Sequence, residues 1–399
     1  MTLKAYKYRI YPTLNQTEFF NQNFGAVRFL WNKLVENFNA YSTNSYNDYL
    51  SEKILKDNPD YPWLKDVISY ALQQKHNDFK ETKKQFFNKK RKIQLGRMKF
   101  KKKGISKDSF RIPGLQLAKN FIDFDNNTIK IPKMEPMKVV IDRKFNGQVR
   151  NVTISKNKCN QFFISVLVDE EIAVKDPTGR YVGIDLGLKD LFILSDGQAI
   201  NNPRWFRENQ TKLKKAQRHL SRKTKGSNRY NKQRLKVAKV HLKTTNQRNY
   251  FLHNISTAIV TNYDIISIED LDVSGMLKNH KLAKSIADAS WSTFTSMLDY
   301  KCRWYGKSLV KIDRFYPSSK TCSSCGYKLD KLPLSIREWT CPECGIEHDR
   351  DLNAAVNILN KGFKDLTSAE LVDYGRGEVV RLFDAGHQLA ASVKRLVIL

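Results

Sequence analysis

Two cysteine pairs restrict the fold of this chain more tightly than any other feature. Cys322-Ser323-Ser324-Cys325 and Cys341-Pro342-Glu343-Cys344 are separated by fifteen residues, and Gly326 and Gly345 follow the two pairs. Two C-x2-C knuckles at this spacing form the pattern of a four-thiolate zinc ribbon, with glycines permitting the tight turns. A redox dithiol is not normally duplicated in this way. Protein supplies all four ligands, so the implied Zn2+ is structural, and His348 lies nearby without being needed as a fifth. Cys159 and Cys302 stand apart. This is not a secreted disulfide framework, and the expected compartment is a reducing cytoplasm.

The remainder of the chain is long and strongly basic. Its 399 residues have room for two or three domains, and 70 Lys and Arg against 40 Asp and Glu leave a net charge of +30. That excess points to a polyanionic partner, although a ribosomal or membrane-surface protein would share it. No run of eighteen apolar residues is present, so no membrane span is expected. Met1–Ile10 alternates and is charged, unlike a signal peptide.

Leu3–Ile10 places Tyr6, Tyr8 and Ile10 on one side of a half-buried strand. Thr13-x-x-Gln16 then has the form of a capping box, and Phe20, Phe24, Val27, Trp31, Leu34 and Phe38 recur at the spacing of a core-facing helix. A second helix is expected from about Lys65 to Lys92. Lys89, Lys90, Arg91 and Arg97 belong to a basic run interleaved with Phe86, Phe87 and Phe100, a pattern favouring phosphate contact over a merely solvated face. From Phe110 to Glu171, short β-like runs separated by turn signals suggest a small antiparallel barrel. The first strand completes it, and the helices between form an insertion. Asp176-Pro177-Thr178-Gly179 reads as a linker.

No acid occurs between Glu208 and Asp264, an interval that holds Lys214, Lys215, Arg218, Arg222, Lys232 and Arg234 among other cations. Two helices turning at Gly226-Ser227 would repel each other along this stretch unless a polyanion lay against them. We read a hairpin that tracks nucleic acid.

Three acids sit in contexts suited to a metal centre. Tyr181–Asp185 is an apolar strand ending at an acid, with Gly183 and Gly187 near it, and Asp196-Gly197 turns the chain after a second apolar run. One such Asp also fits a structural or sugar-binding role. Asp264–Leu271 is a further apolar strand with Glu269 at its C-terminal end, and Asp351 falls in the first turn of a helix, where negative charge is favoured. Two strand carboxylates and one helix carboxylate can converge on Mg2+ ions for an in-line phosphodiester displacement. Asp349 and Asp270 read as capping or salt-bridge residues instead.

Taken with Gly183-Ile184-Asp185-Leu186-Gly187, Ser267–Leu271 and the cysteine knuckles, several further stretches complete a resemblance. They are His348-Asp349-Arg350-Asp351-x-Asn353-Ala354-Ala355, Ser285–Trp291, Tyr316–Cys322 and Tyr8-Arg9-Ile10-Tyr11-Pro12. Over roughly residues 3 to 362 the chain resembles the TnpB family, encoded by bacterial insertion sequences and related to type V CRISPR nucleases. The resemblance implies a multidomain α/β chain with an RNase H-like (RuvC) nuclease core at 179–315 and 350–373. A zinc ribbon at 316–349 is inserted into that core. It also implies a wedge β-barrel at 1–10 and 106–178, a helical recognition domain at 11–105, and a tail at 374–399 that is a candidate for disorder. The implied catalytic and Mg2+-binding trio is Asp185, Glu269 and Asp351, with Asp185 bridging two ions. The partners are a guide RNA, bound by one protein each, a double-stranded DNA target and the RNA–DNA heteroduplex. The protein would read a short target-adjacent motif, with Tyr46 and Gln73 as candidate readers, while base pairing reads the sequence. The expected location is cytoplasmic, on the nucleoid when DNA-bound. A non-cleaving RNA-guided repressor and a transposase acting on element ends are the alternatives.

Overall fold

The structure is a computed structural model that describes residues 2–40, 50–88, 90, 96, 98–118 and 120–373, with side chains as far as 366. Tyr46, Lys89, Arg91, Arg97 and the expected tail at 374–399 lie outside the described residues. The chain divides into two units, residues 1–172 with 223–239, and residues 173–222 with 240–399.

In the first unit, β1 (Thr2–Tyr11) alternates as its sequence dictates, with Tyr6, Tyr8 and Ile10 buried. Three helices follow: α1 (Leu14–Ala40), α2 (Glu52–Asp57) and α3 (Ser69–Phe87). The capping box forms at α1, where Thr13 N donates to Gln16 Oε1 at 2.9 Å and Gln16 N to Thr13 Oγ1 at 3.3 Å. The expected helix over 65–92 is shorter at both ends. Pro62 starts a 3-10 turn over Pro62–Lys65, and the extended backbone of Ile68 and Asn88 brackets α3. α2, capped by Ser51, was not anticipated.

The chain continues through β2 (Asp108–Pro113), β3 (Ile122–Asp123), β4 (Thr128–Ile129), β5 (Met137–Val140), β6 (Gln148–Lys156) and β7 (Phe162–Glu170). These form one antiparallel sheet with β1 in the order β2-β6-β7-β1-β5-β4-β3. β1 therefore lies inside a sheet whose other strands begin only at Asp108, and α1–α3 are an insertion. Phe20 and Phe24 of α1 pack on Phe110 and Phe162, with ring centroids 5.5–6.4 Å apart.

The second unit begins with β8 (Tyr181–Leu186), β9 (Asp190–Leu194) and β10 (Ala199–Asn201). Next come α4 (Trp205–Ser221), α5 (Asn228–Asn262), whose residues to 239 group with the first unit, and β11 (Ile265–Glu269). The short α6 (Val273–Met276) and α7 (Ala283–Ala289) lead to α8 (Trp291–Tyr305) and β12 (Ser308–Ile312). The sheet order is β10-β9-β8-β11-β12, antiparallel among the first three strands and parallel from β8 to β12. Val182, Ile184, Ile266 and Ile268 meet Leu252, Ile259, Phe294 and Leu298 in its core. A small ribbon, β13 (Glu338–Thr340) paired with β14 (Glu347–Asp349), precedes α9 (Arg350–Asp373). The linker at 176–179 is tied to this unit, since Asp264 accepts from Thr178 N and Gly179 N and pairs with Lys307. Among the described residues, no helix is long and apolar enough to cross a membrane.

Candidate functional site

Strand register brings the first two acids together. β8 and β11 run parallel with Gly183 beside Ser267 and Ile184 beside Ile268. Asp185 and Glu269 are the next residues along, so they leave adjacent strands side by side at their carboxyl ends, the usual place for a site in an open α/β sheet. Alternation puts both on the face shared by Gly183 and Ser267, opposite buried Ile184 and Ile268.

That face is covered by α9, and glycine allows the contact. A Cβ on Gly183 would lie 2.0 Å from the Ala355 carbonyl oxygen and 2.6 Å from Leu359 N. A Cβ on Gly362 would lie 2.0 Å from Ser267 Oγ. With Ala355 against Gly183, four residues back along the helix is a rise of about 6 Å, and two residues along the strand is about 6.6 Å. Asp351 is therefore carried to the level of Asp185. Gly183→Ala is expected to cost roughly 1–3 kcal/mol through overpacking and to lower activity beyond what the lost stability explains. Thermal melts run beside activity assays check this.

The electrostatics agree with the geometry. Burial pushes the Asp185 carboxyl up to about 7, with the charges of Glu269 and Asp351 adding to it, while the Leu186 N–H and Arg350 pull the other way. Burial also raises Glu269, opposed by a hydrogen bond from Ser318. Like-charged carboxylates crowded in this way favour either a shared proton or a cation. Their oxygens are hard donors of the kind Mg2+ takes, so their chemistry fits the ion implied by the resemblance, while the four cysteines are the one group among the described residues whose donor atoms already lie close enough together to hold an ion.

Protein groups hold two of these acids. Ser318 Oγ donates to Glu269 Oε1 at 2.7 Å. Arg337 Nη1 donates to both oxygens of Asp351, at 3.0 and 3.2 Å. Asp349 caps α9 through the amides of Asp351 and Leu352, and Asp270 pairs with Arg314, as their sequence contexts indicated.

The cysteines converge as their spacing implies. One donor atom from each of Cys322, Cys325, Cys341 and Cys344 lies within 4.8 Å of all the others, and this is the one such group of potential metal ligands among the described residues. Gly326 and Gly345 close their knuckles with φ of +82° and +73°. His348 Nε2 lies 3.1 Å from Cys322 Sγ, which makes it a hydrogen-bonding neighbour of that thiol. Four thiols at this spacing could hold Zn2+.

The ribbon and the acids are mechanically joined. Asn353 Oδ1 accepts from Ser323 N at 2.9 Å, and Asn357 Nδ2 donates to the carbonyls of Ser318 and Thr321 at 2.8 and 2.6 Å. Buried Arg350 donates to the Pro333 carbonyl at 2.7 Å and fixes the loop that presents Arg337. Ser318, Asn353 and Arg350 fall within stretches singled out from sequence, but their partners were not evident. Arg337 carried no signal.

The basic hairpin is held at its root. Asp288 of α7 accepts from Phe206 N at 3.1 Å and pairs with Arg248 of α5 at 3.4 Å. Lys214, Lys215, Arg218, Arg222, Lys232 and Arg234 are all exposed, and none pairs with an acid among the described residues. Lys90 and Gln73, in the first unit, are exposed as well.

Comparison with known proteins places this architecture. Family profiles match residues 291–358 (Cas12f1-like, TNB domain), 163–280 (probable transposase) and 1–45 (helix-turn-helix domain). The part of that last stretch described here is strand β1 followed by α1. A solved Cas12f1–sgRNA–target DNA complex superimposes with a TM-score of 0.51 at 17% identity, covering 87% of this chain and 83% of that one. A putative RNA-guided DNA endonuclease of Streptomyces pristinaespiralis is 39% identical over 90% of this chain and 89% of its own length. InsQ of Escherichia coli K12, also named a putative RNA-guided DNA endonuclease, is 33% identical over 94% and 96%. Identity sustained at this level along nearly the whole of both chains extends well beyond any single motif, and the chain belongs to the TnpB (OrfB, IS605-type) family.

Proposed function

We propose that this chain is an RNA-guided, Mg2+-dependent DNA endonuclease of a bacterial transposable element. The observation that carries the reading is the clustering of Asp185 with Glu269 and Asp351: burial first, and then the charges of the other two, push the Asp185 carboxyl up to about 7. The names of the full-length relatives support it. The sheet order β10-β9-β8-β11-β12 supports an RNase H-like core at 179–315 and 350–373. The antiparallel sheet of the first unit, with β2 and β3 as its two end strands among the described residues, supports a wedge at 1–10 and 106–178, and the remaining parts of the proposal are a recognition domain at 11–105 and a zinc ribbon at 316–349.

Bound at the three carboxylates, divalent cations would supply the Lewis acidity for phosphodiester hydrolysis. The chain's own residues hold the acids and the strand. Ser318 orients Glu269, Arg337 fixes Asp351, and the exposed cations of α4 and α5 attract phosphate. The four cysteines would hold Zn2+ and so maintain the segment that carries Ser318 and Arg337.

Protein purified from cells carrying its native locus is expected to retain one abundant RNA species mapping to the element's end. Removing that RNA with ribonuclease should abolish site-specific cleavage of a plasmid library. Specific cleavage that survives complete RNA removal would point to a transposase acting on element ends. RNA-directed binding without any cut would point to a repressor.

A further inference from the structure

The motif Tyr8-Arg9-Ile10-Tyr11-Pro12 has an inward half that builds the sheet and an outward half that the nuclease centre does not use. Tyr8 and Ile10 are buried in the core, whereas Arg9 and Tyr11 point to the other face of β1. Register sets Arg9 opposite Phe163 of β7. The Arg9 guanidinium carbon lies 5.2 Å from the ring centroids of both Tyr11 and Phe163. Its Nε is shielded from solvent and has no hydrogen-bond partner among the described residues. Lys7 covers Phe163 from its other neighbour position, with Nζ 4.5 Å from the ring centroid.

A cavity of about 450 Å3 opens beside this stack, lined by Arg9, Tyr11, Asn21, Lys156, Asn160 and Phe162 among others. No carboxylate lines it. Lys156 Nζ donates to Asn21 Oδ1 at 2.6 Å, and its nearest acid, Asp108, is 4.0 Å away. Tyr11 is 49% exposed, which leaves ring surface available to a ligand. The volume is within the roughly 300–1,000 Å3 of small-ligand sites. Two cations, two amides and aromatic walls in one concavity match a phosphate and a planar base together.

We propose that this cavity is a nucleotide site that captures one unpaired nucleotide of the guide RNA, with its phosphate on Arg9 and Lys156 and its base against Tyr11. The inference rests on the RNA-guided reading above but concerns a different surface. An unpaired base is required because bases in a duplex are stacked and hydrogen-bonded to each other. Loops and bulges of a structured RNA splay such bases onto aromatic side chains before any target is bound, whereas DNA offers unpaired bases only once the guide has displaced a strand.

The test is ultraviolet crosslinking of the full-length ribonucleoprotein as purified, followed by mass spectrometry. Affinity of the RNA-free protein for the same RNA is measured alongside for wild type, Tyr11→Ala and Lys156→Gln. The expected crosslink joins a peptide bearing Tyr11 or Phe162 to one RNA position in the absence of target DNA. Tyr11→Ala should weaken RNA binding roughly five- to a hundredfold by loss of stacking. Lys156→Gln should flatten the salt dependence of binding by about one phosphate contact. Melting temperatures near wild type show that neither variant acts by unfolding, and a variant that does unfold leaves the crosslink to decide. RNA crosslinks confined to other peptides overturn the inference, as does unchanged affinity in both folded variants. Crosslinks here that form only with target DNA overturn it in favour of a DNA site. A wild-type protein holding no discrete RNA defeats the RNA-guided reading itself, and this inference with it.

Discussion

Replacing Asp185 with Ala is expected to lower DNA cleavage more than about a thousandfold, the scale on which loss of a group that stabilises developing charge registers. Guide-RNA binding should stay within a few-fold of wild type. The reason is that Asp185 lies beneath α9 and is an acid outside the set of cations proposed to hold nucleic acid, which belong to α4, α5, β1 and β6 and their flanks. A second measurement separates a metal-binding role from a structural one. Burial and the two neighbouring acids raise the Asp185 carboxyl from 3.8 to about 7, so the folded chain favours its protonated form. The stability associated with that proton is fully present below 3.8 and is lost as pH rises through about 7. Above that value the metal-free protein carries an ionised, crowded carboxylate. Asp185→Asn stays neutral, and in chelator at pH 8 it should melt above wild type. The difference is at most roughly 4 kcal/mol and smaller where water reaches the carboxylate. It should disappear near pH 4. Adding Mg2+ at pH 8 should stabilise wild type and leave Asp185→Asn unchanged. Cleavage by wild type should fall as pH drops below 7, because protonation competes with cation binding. An Asn variant that melts lower at pH 8, or that loses RNA binding, would mark Asp185 as structural.

The same site shows why some of it could be read from sequence and some could not. Thr13 and Gln16, or Cys322 and Cys325, meet their partners within one turn of chain, so spacing alone identifies them. Asp185 and Glu269 could be named because each ends an apolar strand, which is again a local pattern. The pairing of Ser318 with Glu269 spans 49 residues and depends on where the ribbon docks, which no periodicity records. Arg337 is one of 70 Lys and Arg, and nothing local distinguishes it from a solvated cation. Gly183 was legible as a glycine beside an acid. The helix that requires it, through the Ala355 carbonyl, begins over 160 residues later. The over-long second helix failed for a different reason. Apolar and basic residues continue past Phe87, but Asn88 adopts an extended backbone, and no periodicity in the sequence marks that break.

Zinc removal is expected to silence the nuclease without touching any of its acids. The ribbon has almost no apolar core of its own: buried Trp339 meets Cys322 and Cys341, with only Leu329 and Leu332 packed against them. So small a cluster cannot fold a segment unaided, and a structural four-thiolate site supplies roughly 10–16 kcal/mol in comparable small domains. Cys341→Ser, at a buried thiol of the cluster, should therefore lose stoichiometric zinc and lose hydrogen-exchange protection across 316–349. The sheet beneath has its own core around Ile184, Ile268 and Phe294 and should stay folded. Ser318 and Arg337 would then no longer hold Glu269 and Asp351. Cleavage should fall at least about a hundredfold, the scale on which groups orienting metal ligands act, while RNA binding persists. Elemental analysis, exchange over 316–349 and a cleavage assay on one preparation check all three expectations. A zinc-free protein that keeps both a protected ribbon and normal cleavage would show that Ser318 and Arg337 are held by α9 alone, through Asn353, Asn357 and Arg350.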